Sequence, residues 1–344
     1  MSHEHKNLEN YEVESELLEF CRFHTLDSEA QIEDLKPLPG HAGLSYSFRL
    51  VDRRQSRNLV LRLAPRGVRA AGPADVVRQG RIMASLNATG LPVPRVLWFG
   101  DDLRWFGRPY CIVELVEGSS LARGDQILTS PDRDARIEAV LRVMVTLHKL
   151  DWREMVQSWG PVVSTEAELA RIDGLLERPT LDYGLVRSLA PLGEQLRKTL
   201  AGDGPVGCVH GDFQWTNLLF DGPRVAALLD WELAMIGPTT LDLAWLCLFS
   251  DPESWATDIL IPKFAPAPEE LVALYEELSA EPVNERVVRW FRAFSAYRFG
   301  AITVFNLMLH RRGKRVDPVW EILASSVPRM VERALELCAS ISSC

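Results

Sequence analysis

The stretch that decides the fold reads Val209-His-Gly-Asp-Phe-Gln-Trp-Thr-Asn-Leu-Leu-Phe-Asp-Gly-Pro-Arg-Val-Ala-Ala-Leu-Leu-Asp-Trp-Glu232. Two apolar runs, 218–220 and 225–229, flank Asp221-Gly222, a dipeptide that favours a tight hairpin turn. If the two runs pair, Asn217 enters the hairpin and Asp230 leaves it. The sequence therefore predicts that these two side chains lie a few ångströms apart at the open end of a hairpin.

This open end has the composition of a magnesium site next to a base. Asn217 and Asp230 offer amide and carboxylate oxygens, which are the ligands of a hard cation. Asp212 belongs to the preceding loop and is expected beside that ion. Phosphoryl transfer needs a metal on the phosphates and a carboxylate that orients the attacking hydroxyl and accepts its proton. The pattern H-x-D-x-x-x-x-N from His210 to Asn217, followed by Asp230, predicts this chemistry.

The rest of the chain divides into a strand-rich part and a helical part. The first part is predicted to contain a helix at 11–24, a turn and strand within 38–50, strands at 58–63, 95–99 and 109–115, and one main helix at 74–88. Helical spacing follows at 132–150, 165–177, 185–200, 268–279, 284–312 and 318–339. This order predicts an α+β fold with two lobes, a nucleotide-binding lobe at 1–116 and a helical lobe at 117–344 that holds the catalytic loop and acceptor site.

Composition excludes several other classes of protein. Hydrophobic residues make up 47% of the 344 and charged residues 25%, as in soluble globular proteins. The net charge of -9 argues against a nucleic-acid partner. Six scattered cysteines without a C-x-x-C pair are expected to be reduced. A polar start and the lack of a long apolar run predict a cytoplasmic protein with no membrane partner, while the sequence leaves the oligomeric state open.

These motifs together resemble the aminoglycoside phosphotransferase family, whose members are relatives of the protein kinases. The resemblance rests on His210–Asn217, on Asp230-Trp-Glu232 and on Gly237-Pro-Thr-Thr-Leu-Asp-Leu-Ala244. It extends upstream through Leu61-Arg-Leu63, Leu91-Pro-Val-Pro-Arg95 and Ile112-Val-Glu-Leu-Val-Glu-Gly118. Within the family, the chain is most similar to the subgroup related to kinase domains fused to acyl-CoA dehydrogenases. The resemblance implies a two-lobed protein-kinase-like fold that uses ATP and Mg²⁺ to phosphorylate a hydroxyl group of a small molecule.

The resemblance also implies a role for each site residue. Asp212 would be the catalytic base, and Asn217 and Asp230 the metal ligands. The nucleotide-binding positions would be Gly43 and Ser45 over the phosphates, Arg62 as the phosphate-binding cation with Gln79 as its helix partner, and the backbone of Glu114, Leu115 and Val116 as the adenine-binding hinge. His210 and Asp242 would support the catalytic loop.

Three features depart from the protein kinases. Arginine replaces lysine at position 62, although a guanidinium also grips phosphate oxygens. Gln79 stands where kinases carry a glutamate, and Gln214 where they carry a lysine. The loop Pro39-Gly-His-Ala-Gly43 is a poor match to a glycine-rich phosphate loop.

Plainer interpretations stand beside these assignments. Asp212 and Asn217 are also typical turn residues, Arg62 and Gln79 typical surface residues, and Asp242 a typical helix-start carboxylate. Two rival functions follow, a nucleotide-binding module without catalysis and a metal-dependent hydrolase using His210, Asp212 and Asp230. The acceptor stays open among aminoglycosides, macrolides, amino alcohols, sugars and hydroxyacyl thioesters.

Overall fold

A computed structural model describes residues 3–38, 44–65, 75–120, 130–178, 180–257 and 259–341. The chain forms two compact units, one of residues 1–117 with 231–233 and one of residues 118–230 with 234–344. The first unit combines five strands with two α-helices, and helices predominate in the second. The predicted α+β fold class is therefore confirmed.

An antiparallel five-stranded sheet forms the centre of the first unit. Its strands are β1 (Gln31–Leu38), β2 (Leu44–Val51), β3 (Ser56–Leu63), β4 (Val96–Gly100) and β5 (Tyr110–Glu114), and its helices are α1 (His3–Thr25) and α2 (Val76–Leu86). The strand order is β1-β2-β3-β5-β4. The predicted strand at 38–50 corresponds to the end of β1 and most of β2, because the polar strand β1 shows no apolar alternation.

The two faces of this sheet are covered by different helices. Leu61 and Ile112 pair across β3 and β5 and belong to the core that includes Phe20 of α1. The next pair along these strands, Arg62 and Cys111, projects from the opposite face because side chains alternate along a strand. This opposite face carries α2, where a methyl group built on Gly80 would lie 3.0 Å from the sulfur of Cys111.

The second unit contains five short strands and nine helices within the described residues. The strands are β6 (Ser119–Ser120), β7 (Val206–Val209), β8 (Leu218–Asp221), β9 (Arg224–Leu228) and β10 (Met235–Pro238). The helices are α3 (Ser130–His148), α4 (Trp152–Trp159), α5 (Thr165–Leu176), α6 (Tyr183–Lys198), α7 (Thr240–Leu248), α8 (Pro268–Ser279), α9 (Glu285–Arg311), α10 (Val319–Ala324) and α11 (Val327–Ile341).

Two strand pairs of the second unit frame the decisive stretch of sequence. The predicted hairpin is confirmed, since β8 and β9 pair antiparallel and Gly222 turns between them with a φ of +60°. Strands β7 and β10 also pair with each other, which was not predicted from the sequence. In chain order, β7 precedes the hairpin and β10 follows it. Because β10 runs antiparallel to β7, the chain that enters α7 lies beside the start of β7, where the N–H of Thr239 donates to the oxygen of Pro205 at 2.9 Å.

Some strands and helices were not predicted from the sequence, or were predicted as one, for physical reasons. Strands β7 and β10 are four residues long and contain Gly207, Gly237 and Pro238, which are usually loop residues. Helix α7 is apolar on nearly every side and shows no amphipathic period. The single helix predicted at 318–339 is two helices, because Pro328 in the first turn of α11 has no N–H for a continuous helix.

The expectation of reduced, buried cysteines is met at the five described positions: Cys21, Cys111, Cys208, Cys247 and Cys338. Burial raises the pKa of the Cys111 thiol to about 12, so this group is unreactive at neutral pH. None of the helices in the described ranges is long and apolar enough to cross a membrane.

Candidate active site

The loop after β7 is held by the buried carboxylate of Asp242, at the start of α7. Its Oδ2 accepts a hydrogen bond from the backbone N–H of His210 at 2.7 Å, and its Oδ1 accepts one from Gly211 at 2.8 Å. Gly211 has a φ of +80°, a conformation in which a side chain is strained. Asp242 and Gly211 therefore fix the path of the backbone directly before Asp212, and Asp242 acts on the His210 backbone rather than on its ring.

The carboxylate of Asp212 accepts hydrogen bonds from three N–H donors. Its Oδ1 accepts from Nε2 of Gln214 at 2.9 Å and from the indole Nε1 of Trp245 at 2.8 Å. Its Oδ2 accepts from Nδ2 of Asn217 at 2.8 Å. An ionised carboxylate has about four acceptor sites, so the donors among the described residues leave one site available, and it lies on Oδ2. The arrangement leaves a single oriented position for a further donor such as a hydroxyl group.

The amide of Asn217 is oriented by the same contacts. Nδ2 donates to the backbone oxygen of Asp212 at 2.9 Å as well as to Oδ2. Both contacted atoms are acceptors, so the nitrogen must face Asp212 and the amide oxygen must face away. The backbone oxygen of Asn217 accepts from the N–H of Leu229 at 2.8 Å, which sets Asp230 one residue beyond the last bond of the hairpin.

Asp230 leaves the hairpin in a left-handed conformation with a φ of +64°. Aspartate tolerates this region better than most residues, and such conformations cluster at functional sites. Burial raises the pKa of Asp212 above its usual range, and the negative charge of Asp230 raises it further, against the hydrogen bonds from Gln214 and Asn217. The two carboxylates are therefore close enough for their charges to interact.

The imidazole of His210 connects the loop to the exit of the hairpin. Its Nδ1 accepts a hydrogen bond from the backbone N–H of Asp212 at 3.2 Å, so Nε2 carries the proton that it donates to the oxygen of Leu229 at 2.9 Å. Both ring nitrogens are engaged, which leaves neither for a metal ion. Among the described residues, no group of three or more His, Cys, Asp or Glu side chains could hold a metal. The engagement of both ring nitrogens argues against the metal-dependent hydrolase, which would need His210 as a ligand.

A buried ion pair lies behind the loop. The guanidinium of Arg298, in α9, donates to the backbone oxygen of Gly211 at 2.7 Å and to Glu168 of α5 at 3.0 Å. It also lies over the indole ring of Trp245, 4.5 Å from the centroid. Burial would raise the pKa of Glu168, but the hydrogen bond from Arg171 and the charge of Arg298 outweigh this and lower it. A charged pair therefore persists beneath the candidate base.

Strand register places the proposed phosphate-side residues of the first unit. Ser45 pairs with Arg62 across β2 and β3, so the two side chains project from the same face of the sheet. That face is the one covered by α2, which carries the buried Gln79 in its first turn. Arg62 is half-buried and so does not simply face solvent. Gly43 lies outside the described residues.

The predicted hinge follows the end of β5. The backbone N–H of Glu114 donates to the oxygen of Arg95 at 2.8 Å, and that of Leu115 donates to the oxygen of Asn58 at 2.9 Å. Val116 comes one residue after these bonds. The first two residues are therefore fixed by the sheet, and the segment leaves the sheet at the third.

Sequence reasoning missed the residues that approach the catalytic loop from other helices. Trp245 contacts Asp212 directly, Arg298 contacts Gly211, and His148 of α3 contacts Oδ2 of Asp242 through Nε2 at 3.3 Å. Trp245 carried a usable signal, because it follows Asp242 by three residues on one helix and so shares its face. Arg298 and His148 carried none, since their contacts depend on the packing of distant helices.

The chain belongs to the phosphotransferase enzyme family, whose sequence model matches residues 34–299. Among curated proteins, it is 30% identical over 220 residues to acyl-CoA dehydrogenase family member 10 of Mus musculus, covering 61% of this chain and 20% of that protein. The chain spans between about a fifth and two fifths of the length of the curated relatives that head the comparison. The predicted family resemblance is confirmed.

Two solved structures confirm the kinase-like fold. A candidate aminoglycoside phosphotransferase from Ralstonia eutropha JMP134 matches with a TM-score of 0.73 and 21% identity, over 95% of this chain and 98% of that one. A thermostable mutant of the aminoglycoside phosphotransferase APH(4)-Ia, solved with ADP and hygromycin B, matches with a TM-score of 0.58 and 18% identity, over 96% and 98% of the two chains. At these identities the likeness concerns the fold.

Proposed function

We propose that this protein transfers the γ-phosphoryl group of ATP to a hydroxyl group of a small molecule, with Mg²⁺ as cofactor. The observation that carries the proposal is the carboxylate of Asp212. Three N–H donors fix it and leave one acceptor site on Oδ2, next to an amide and a second carboxylate. A base held in this way has the geometry that phosphoryl transfer to an alcohol requires.

The residues at the hairpin exit fit a magnesium ion. Asn217 turns its amide oxygen away from Asp212, and Asp230 adds a carboxylate, so both offer hard oxygen ligands. These two residues would hold the ion, which when bound neutralises charge on the triphosphate. Oδ2 of Asp212 would accept the proton of the attacking hydroxyl. The hydroxyl oxygen then bonds to the γ-phosphorus while the bond to the departing ADP oxygen breaks.

The nucleotide side is proposed for residues of the first unit. Ser45 and Arg62 project together from one face of the sheet and would contact phosphate oxygens, with Gly43 preceding them in the chain. Gln79 would orient Arg62 without contributing charge. The backbone of Glu114–Val116 would bind adenine where the chain leaves β5. Family membership and the ADP bound to a structural neighbour support this assignment.

The acceptor is proposed only as a hydroxylated small molecule. A structural neighbour was solved with hygromycin B, and the curated relatives carry acyl-CoA dehydrogenase names. Aminoglycosides, macrolides, amino alcohols, sugars and hydroxyacyl thioesters are therefore the classes to screen. The non-catalytic alternative is less well supported, because a pure nucleotide-binding module has no use for an oriented base.

The test combines calorimetry of MgATP binding with an ATP-consumption screen across these acceptor classes. Asp212→Ala should lower turnover by about 10²- to 10⁴-fold and keep nucleotide binding, since it removes the base while Asn217 keeps its hydrogen bond to the backbone oxygen of residue 212. Asp230→Ala should also weaken magnesium-dependent binding. The control is Asp221→Ala, an exposed carboxylate of the same hairpin that pairs with Arg224. Full activity in Asp212→Ala, or no uptake of MgATP by the wild type, would refute the proposal.

A further inference from the structure

Of the donors to Asp212 that the described residues supply, Trp245 alone belongs neither to the loop after β7 nor to the hairpin. It lies on α7, its side chain is buried, and its indole N–H reaches Oδ1 of Asp212 at 2.8 Å. The donors Gln214 and Asn217 sit within five residues of Asp212, so they move with the loop. Trp245 is anchored in the helical core instead and can hold the carboxylate against that movement.

The ring of Trp245 is itself held by a cation. Arg298 lies 4.5 Å from the ring centroid and donates to the backbone oxygen of Gly211, the residue before the base. A cation over the face of an indole is attracted to its π-electrons. By drawing electron density from the ring, it also makes the indole N–H a stronger donor. Arg298 therefore acts on the base by two routes, through the ring and through the loop backbone.

We propose that Trp245, supported by Arg298, is a positioning residue. It determines which oxygen of Asp212 takes the proton from the hydroxyl group of the small-molecule substrate. Together with Gln214, it fills both acceptor sites of Oδ1. The remaining site on Oδ2 is then the one open to the acceptor hydroxyl. Without the indole N–H, the carboxylate can rotate and present either oxygen. This inference rests on the proposed function for its catalytic consequence but not for the geometry it describes.

Trp245→Phe removes the N–H and keeps an aromatic ring beneath Arg298. Loss of one hydrogen bond to a charged group should lower kcat by about 10- to 100-fold. The dissociation constant of MgATP, measured by calorimetry, should change less than twofold, because Trp245 donates to the proposed base and is not among the residues proposed to hold the nucleotide. A kcat effect without a binding effect separates positioning from a general loss of structure.

Trp255→Phe is the matched control. Trp255 is buried and donates its indole N–H to the backbone oxygen of Leu248 at 2.8 Å. Like Trp245, it packs against the rings of Phe249 and Phe299. The Trp255→Phe substitution therefore removes one buried indole hydrogen bond that does not involve Asp212. The proposal requires that kcat falls at least tenfold further in Trp245→Phe than in Trp255→Phe, and similar values in the two variants would overturn it.

A second measurement needs no enzymatic activity. The chain has ten tryptophans, and ¹⁵N labelling of their indoles gives resonances that single Trp→Phe variants assign. The Trp245 indole proton should lie downfield and move upfield in Asp212→Ala, while the Trp255 resonance stays. An unshifted Trp245 resonance would overturn the positioning proposal alone. A wild-type protein that phosphorylates no hydroxyl compound would overturn the proposed function instead.

Discussion

The proposed catalytic segment of the second unit and the proposed nucleotide-side positions of the first unit are built in different ways. Around Asp212, donors from a helix, a loop and the start of a hairpin converge on the two oxygens of one carboxylate. Ser45 and Arg62 are placed instead by the register of two paired strands. One buried substitution should therefore destroy the geometry of the proposed base, whereas substitutions on the proposed nucleotide side should weaken binding in smaller steps.

The largest expected effect comes from the carboxylate that holds the catalytic loop. Asp242→Asn keeps the size of the side chain but replaces one acceptor oxygen with an N–H₂ group. One of the two backbone N–H groups at His210 and Gly211 then loses its buried partner and faces another donor. We expect the free energy of unfolding to fall by about 2–4 kcal/mol, measured by urea denaturation.

The control for this change is Asp221→Asn, at the exposed hairpin turn. It removes the same charge from the surface and should alter the free energy of unfolding by less than about 0.5 kcal/mol. Equal stabilities of the two variants would mean that Asp242 does not carry the loop, and the contrast between the two regions would lose its basis.

An intermediate effect is expected on the nucleotide side. Arg62→Ala removes the proposed phosphate-binding cation from the face that it shares with Ser45. The dissociation constant of MgATP, measured by calorimetry, should rise about tenfold, which is the cost of about one charged hydrogen bond. The free energy of unfolding should change little, because the Arg62 side chain is only half-buried.

Arg49→Ala is the matched control on β2, where Arg49 is exposed and pairs with Glu33. It changes the net charge equally and projects from the same face of the sheet as Arg62, but it lies four residues from Ser45 along the strand, opposite Asn58. The same loss of affinity in both variants would show that overall charge, and not contact with phosphate, sets the binding.

The sequence was a good guide where local geometry decides the structure. The hairpin and the positions of Asn217 and Asp230 follow from an apolar pattern around a turn, and the structure contains that hairpin. The main helices follow from their apolar period. The orientation of Asp212 could not be predicted, because it depends on Trp245 in α7. That helix is apolar on nearly every side, so the sequence has no amphipathic period that would mark where it begins. Arg298 reaches the loop from 87 residues away, a contact that only helix packing creates.

The smallest expected effect concerns the position of α2 on the sheet. A methyl group on Gly80 would lie 2.8 Å from Cβ of Phe99 and 3.0 Å from the sulfur of Cys111, so the helix must move outward. The strain of such overpacking, about 1–3 kcal/mol, opposes a gain of about 1 kcal/mol in helix propensity. Thermal unfolding of Gly80→Ala should therefore show a modest net loss of stability.

Gly174→Ala, which also lies in a helix, should change the stability in the opposite direction. Gly174 lies in the exposed part of α5, and no atom lies within 4 Å of the added methyl group. Only the propensity gain remains, so this variant should be more stable than the wild type by up to about 1 kcal/mol. Two gains would show that α2 tolerates a larger separation from the sheet. The neighbour of Gly80, Gln79, would then be held loosely, and its proposed support of Arg62 would lose its physical basis.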